Sequence, residues 1–317
     1  MRVEIVEDAA DELGEGPVWL PATEELLRVD IAQGEIVVRG DAPRGNAAGE
    51  DAARDNAAGE DAARGNAARG DAASVDAVRG GAERRRGLGL PVGFALPIAS
   101  GGFVAGAGRT LVALTDLDAE PERLSEVERG RDANRFNDAA CDPRGRLWAG
   151  TMSTTRETGA AALYRIEPGA EPAVALAGVT VSNGLDWNLD ATRLYYVDSV
   201  TQRVDAVDFD VDRGRLGARR PFAAIAPDDG LPDGLTVDAE GGIWLALFGG
   251  GAIRRYRSNG ALEAHIALPV THPTSLAFGG PDLGDLYVTS ARRDNRGGAL
   301  LRLRPGVRGR PATPFGG

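Results

Sequence analysis

Residues 241–248 read GGIWLALF, a tight glycine turn followed by a short, wholly apolar strand with an aromatic at its second position. The same phrase recurs upstream as GRLWAGT (145–151) and TRLYYVDS (192–199), and downstream as GDLYVTSA (284–291). Trp148, Tyr196, Trp244 and Tyr287 are therefore 48, 48 and 43 residues apart. Two weaker copies precede them, ELLRVD (25–30) and GGFVAGA (101–107). Short alternating apolar runs separated by Gly, Asp, Asn and Pro fill the rest of each interval, as strands divided by turns do. A period of 40–50 residues with about four short strands per unit is the signature of a β-propeller, and six units fill this chain. A sandwich or a pair of β domains would not keep so even a spacing from end to end. The expected fold is all-β, a single six-bladed β-propeller over residues 1–317.

One segment breaks the period. Blocks RGNAAGEDAA (44–53), RDNAAGEDAA (54–63) and RGNAARGDAA (64–73) repeat every ten residues, and between Asp41 and Gly80 the only large aliphatics are Val75 and Val78. Such a stretch cannot bury enough apolar surface to offset its ordering entropy. Residues 41–86 are read as a low-complexity, disordered insertion within the propeller, ending in a solvated basic run, Arg84–Arg86. Removing it brings the separation of the two weaker copies closer to the blade period.

Composition limits the function. The chain has 317 residues, net charge −11 and pI near 4.9, which argues against a nucleic-acid partner and against adhesion to anionic membranes. All 36 basic residues are arginine, which removes Schiff-base and P-loop lysine chemistry. A lone cysteine, Cys141, allows neither a disulfide framework nor a Cys-based zinc site. His265 and His272 are too few for a His-rich metal centre. MRVEIVEDAADELGEG lacks the apolar core of a secretory signal, and no apolar run reaches 18 residues. A cytoplasmic protein acting on a small molecule is expected.

In a propeller, functional groups come one or two per blade from turns that converge on the central channel. Four such turns carry polar groups beside small residues: ELGEGPVW (12–19) with Glu15, NRFNDAACD (134–142) with Arg135 and Asn137, SNGLDW (182–187) with Asn183, and LPDGLTVD (231–238) with Asp233. Singly, each has a plain turn or surface explanation. Together, Glu15, Asn183 and Asp233 occupy matching positions on different blades. Two carboxylates and an amide oxygen suit a hard divalent cation such as Ca²⁺, Mg²⁺ or Mn²⁺. Without one, two carboxylates buried together would repel each other.

These stretches also carry a resemblance. GEGPVW, RFNDAACDPRGRLWAGTM, SNGLDWNLDATRLYYVDS, PDGLTVDAEGGIWLA and FGGPDLGDLYVTSAR (278–292) resemble, in order, the SMP-30/gluconolactonase/LRE family, which includes regucalcin and bacterial sugar lactonases. The resemblance implies a six-bladed propeller with one divalent metal (Ca, Mg, Mn or Zn) in the channel, held by Glu15, Asn183 and Asp233. It implies that Asp233 doubles as general base and that Arg135 and Asn137 bind a sugar lactone. Where some relatives carry a substrate-binding Glu after the GTM motif, this chain reads STTRET (153–158), with Thr155 in its place and Glu157 nearby. The alternatives are a non-catalytic calcium-binding propeller, or a phosphotriesterase or aryl esterase on the same fold. Cys141 reads as a buried filler, Trp148, Trp187 and Trp244 as blade core, and Asp138, Asp186 and Asp198 as turn or supporting residues. Asp186 and Asp198 are expected to brace the loops that present Asn183.

Overall fold

A computed structural model describes residues 2–8, 11–40, 81–293 and 296–317, the side chain of residue 296 excepted. Within them lie six four-stranded antiparallel sheets and one two-stranded ribbon. Each sheet is a blade. The innermost strands run Gly14–Leu20, Val92–Pro97, Asn134–Cys141, Ser182–Trp187, Leu231–Val237 and Pro273–Gly279, defining blades 1 to 6. Each packs against the next, and the sixth returns to the first, so the sheets form a ring. The fold is the expected six-bladed propeller.

The ring is closed by the start of the chain. Val3–Glu7 pairs with Leu300–Leu303 and supplies the outer strand of blade 6. Arg302 adds an ion pair to Glu4 at 2.9 Å. Joining the two ends in one sheet leaves no exposed inner edge.

The periodic aromatics all sit on second strands, fully buried, and form the joints between blades. Trp148 meets Trp187 of blade 4 at 6.2 Å between ring centroids, Trp244 meets Phe278 of blade 6 at 6.1 Å, and Tyr287 stacks on Trp19 of blade 1 at 6.0 Å. Such a pair adds about 0.5–1.5 kcal/mol beyond its buried area. The turns before two of these strands have a purpose too. Asp142 and Asp238 each lie six residues before their tryptophan and accept its indole N–H at 2.9 Å. The same carboxylates accept Arg146 Nε at 2.7 Å and Arg255 Nε at 2.8 Å, so each ties together a turn, a tryptophan and an arginine.

The insertion needs a correction at one end. Residues 41–80 lie outside the described residues. Glu83–Gly87, however, is the outer strand of blade 1, paired with Glu35–Gly40, so residues 83–86 do not belong to a disordered segment. Nor is Arg84–Arg86 merely solvated. Arg85 bridges Asp11, Glu35 and Glu83 at 2.6–2.9 Å, while Glu83 also reaches the buried Arg28 at 2.8 Å. An outer strand with little apolar content is held here by its ladder and by alternating charge.

Candidate active site

Every inner strand breaks its register at the same depth. In blade 1 the pairing steps from Glu15 to Val18, in blade 2 from Val92 to Phe94, in blade 3 from Phe136 to Ala139, in blade 4 from Asn183 to Leu185, in blade 5 from Pro232 to Leu235, and in blade 6 from Pro273 to Leu276. A bulge leaves residues unpaired and re-aims their side chains. Six aligned bulges therefore turn a ring of strands into a ring of inward-facing groups. Glu15, Asn137, Asp138, Asn183 and Asp233 lie at these bulges and are buried. Gly184 lets the strands of blades 4 and 5 come this close. A Cβ there would sit 2.5 Å from the Leu235 nitrogen and 2.6 Å from the Asp233 oxygen.

One cavity of about 270 Å³ gathers all five residues expected from the sequence: Glu15, Arg135, Asn137, Asn183 and Asp233. Leu13, Ile31, Met152, Val181, Val200, Leu231 and Phe248 give it apolar walls. The amides are held in a chain. Arg135 Nη1 donates to Asn137 Oδ1 at 2.8 Å, and Asn137 Nδ2 donates to Asn183 Oδ1 at 3.1 Å and to the Ser182 carbonyl at 2.8 Å. Asn183 Nδ2 donates to Ser199 Oγ at 2.9 Å. Its oxygen thus faces Asn137, and the Asn137 bond uses one of its two lone pairs. Asp198 accepts the Thr180 and Val181 amides at 3.1 and 3.0 Å, bracing the turn that presents Asn183 as expected. Asp186 does not share that task. It accepts Val237 N at 2.7 Å and pairs with Arg310 at 3.1 Å, binding blade 4 to blade 5 and to the C-terminal segment.

The electrostatics set this cluster apart. Burial raises the Glu15 carboxyl well above its ordinary range, and repulsion from Asp233 and Asp138 adds to this. Asp233 is raised in the same way, by burial and then by Asp138. Burial also raises Asp138, to about 6, and lowers the Arg135 guanidinium to about 10. Asp233 Oδ1 is buried and has no hydrogen-bond partner. A buried carboxylate oxygen left bare beside a second carboxylate is strongly unfavourable unless a cation sits against it. An all-oxygen donor set of two carboxylates and an amide fits a hard divalent ion. Among the described residues no three His, Cys, Asp or Glu side chains form a metal-holding group, and a cation here would draw on the Asn183 amide as well as on Glu15 and Asp233.

Sequence reasoning missed four participants. Asp138 was expected to be a supporting residue, yet it is buried against the carboxylate pair. Its signal was the adjacent Asn137, since both residues fall in the unpaired stretch between Phe136 and Ala139. Thr154, Arg156 and Arg293 also line the cavity. After the GTM motif it is Thr154, not Thr155, that lines it. Thr155 is exposed and shares a 2.8 Å hydrogen bond with Ser153, and Glu157 is exposed. His272 lies behind the wall, its ring 4.8 Å from that of Phe248. Cys141 is buried in the core, its thiol pushed up by burial, as a filler would be.

A model of the SMP-30/gluconolactonase/LRE-like region matches residues 13–292. The chain belongs to this family. Regucalcin from Gallus gallus is 33% identical over 333 aligned positions that cover 100% of this chain and 99% of that protein. Among solved structures, a luciferin-regenerating enzyme is 27% identical with a TM-score of 0.81, covering 99% of this chain and 98% of its own. A regucalcin from Agrobacterium tumefaciens, described as a calcium-binding protein, is 26% identical with the same TM-score of 0.81 and covers 98% and 96%. The family match spans all four site-bearing turns, so the bulge residues belong to the part of the chain that the family shares.

Proposed function

We propose that this family member is a divalent-metal-dependent hydrolase that opens sugar lactones. The observation that carries the reading is the bare, buried Asp233 Oδ1 in a cavity that also holds Glu15, Asn183, Arg135 and Asn137. Glu15, Asn183 and Asp233 would hold the cation. When bound, such an ion supplies Lewis acidity toward a carbonyl oxygen. Arg135 and Asn137, locked together at 2.8 Å, orient the lactone through its ring oxygen or hydroxyls. Asp233 takes a proton from the attacking water and returns it to the departing alkoxide. No covalent nucleophile is required, and the buried Cys141 offers none.

The amide and guanidinium groups of Asn137, Asn183 and Arg135 within these walls favour hydroxylated substrates over aryl esters or phosphotriesters. The relative described as calcium-binding supports a cation here, and it leaves a second reading in which the ion is held without turnover. Among the described residues no helix is long and apolar enough to cross a membrane. The setting we propose is cytoplasmic, without a nucleic-acid partner.

Metal-stripped protein assayed on glucono-1,5-lactone, with Ca²⁺, Mg²⁺, Mn²⁺ or Zn²⁺ returned one at a time, tests the proposal. A rate above the spontaneous one, restored by an ion, supports it. Tight ion binding with no rate on any lactone would leave the non-catalytic reading.

A further inference from the structure

The charged groups lining the cavity are Glu15, Asp233, Arg135, Arg156 and Arg293. With a divalent ion offsetting the two carboxylates, three guanidiniums remain, in a chain whose net charge is −11. None of the three is ion-paired among the described residues, whereas Arg28, Arg85, Arg146 and Arg255 are all tied to Asp or Glu.

Their placement is specific. Arg156 follows the second strand of blade 3, Leu147–Ser153, in a turn closed by its own N–H donating to the Ser153 carbonyl at 2.9 Å. Its φ is 55°, the left-handed region of the turn. Arg293 belongs to the short ribbon Arg292–Arg293 / Arg296–Gly297 that follows the second strand of blade 6. Its guanidinium lies 5.9 Å from the Phe248 ring centroid, over a cavity wall. Blades 3 and 6 are opposite members of a six-membered ring, so the two cations approach one cavity from opposite sides. Thr154, two residues from Arg156, adds a neutral hydroxyl to the lining.

Resting on the lactonase reading, we infer that the substrate is a lactone bearing an anionic group, a carboxylate or a phosphate, remote from the reacting carbonyl. Arg156 and Arg293 determine that specificity. Arg135 and Asn137 hold the ring, and the rim arginines receive the far charge through charge-assisted hydrogen bonds.

The experiment compares ring-matched pairs on the metal-loaded, full-length protein: D-glucaro-1,4-lactone against D-glucono-1,4-lactone, and 6-phosphoglucono-1,5-lactone against glucono-1,5-lactone. The charged member of at least one pair is expected to show a kcat/KM at least tenfold higher, and which pair does so tells carboxylate from phosphate. Arg156→Gln and Arg293→Gln should each lower the charged-substrate kcat/KM about tenfold, mainly through KM, and leave the neutral lactone within about twofold. Raising salt should erode only the charged preference. Equal kcat/KM within both pairs, or variants that depress charged and neutral lactones alike, overturns the inference. If no lactone is hydrolysed with any ion, the lactonase reading has failed, and a binding measurement decides the charge question separately. Glucarate or 6-phosphogluconate should then raise the thermal midpoint more than neutral glucitol does, and the difference should vanish in both variants. Equal shifts in the parent protein would overturn the inference.

Discussion

Asn137 Nδ2 donates to Asn183 Oδ1 at 3.1 Å, across the joint between blades 3 and 4. One amide thereby connects Arg135, proposed to orient substrate, to Asn183, proposed to hold the metal. In the proposed site the two duties would be coupled but unequal, because Asn137 would support the cation through a neighbour whereas Asp233 would hold it directly.

Asp233→Asn is therefore expected to lower kcat/KM by at least about a thousandfold, since it removes a charged ligand and the base together. Asn137→Ala should cost about 10- to 100-fold, much of it in KM. Both proteins should remain folded by circular dichroism. Small and equal losses in the two variants would contradict the roles given to them.

The Asn183 amide is oriented by Ser199 Oγ at 2.9 Å. Ser199→Ala removes the group that fixes which end of the amide faces the cavity. Titration calorimetry with Ca²⁺ or Mn²⁺ should show a Kd weakened roughly tenfold, the usual scale for a group that orients a ligand. The thermal midpoint without metal should barely move. A change confined to stability would mean that the hydroxyl only fills space.

Metal and pH should act on stability together. Glu15 and Asp233 have folded-state carboxyls raised above their unfolded values by burial and by like charge. The metal-free fold therefore binds more protons than the unfolded chain, and its stability falls as pH rises from about 4 upward through the raised values. A divalent ion removes that penalty. Added cation should lift the melting temperature by several degrees at pH 8 and clearly less at pH 5, a hundredfold excess over Kd being worth about 2.7 kcal/mol. Scanning calorimetry at the two pH values, with and without chelator, checks the sign. A larger lift at pH 5 would place the binding ion elsewhere.

Away from the site, Asp142 is fully buried and serves the Arg144 and Arg146 amides, Arg146 Nε and the Trp148 indole. Asp142→Ala strands a largely buried guanidinium and an indole N–H, at about 3–5 kcal/mol. Denaturant unfolding should show that loss, while the kcat of the folded fraction stays near its original value. Asp238→Ala, at the matching place in blade 5, should behave alike.

The recurrence of Trp148, Tyr196, Trp244 and Tyr287, with the two weaker copies ahead of them, was enough to give the blade count, because each blade repeats one strand that packs against its neighbour. The turn chemistry around Glu15, Asn137, Asn183 and Asp233 was enough to nominate the site, since acids and amides set among small residues at one point in the period have few other uses. What the chain's order could not convey was direction across the ring. Asp138 looked like a turn residue, and only the tertiary structure shows that it is buried within electrostatic reach of Glu15 and Asp233. Arg156 and Arg293 are more than 130 residues apart in ordinary polar stretches, and only closure of the ring brings blades 3 and 6 to face one cavity. The run ERRRG read as solvated because it lacks apolar residues, yet pairing with Glu35–Gly40 and the acids around it make it a strand. Local sequence determined which residues turn and which bury. The tertiary structure decided which charges meet, because Coulomb interactions depend on distances that ring closure sets and sequence separation does not.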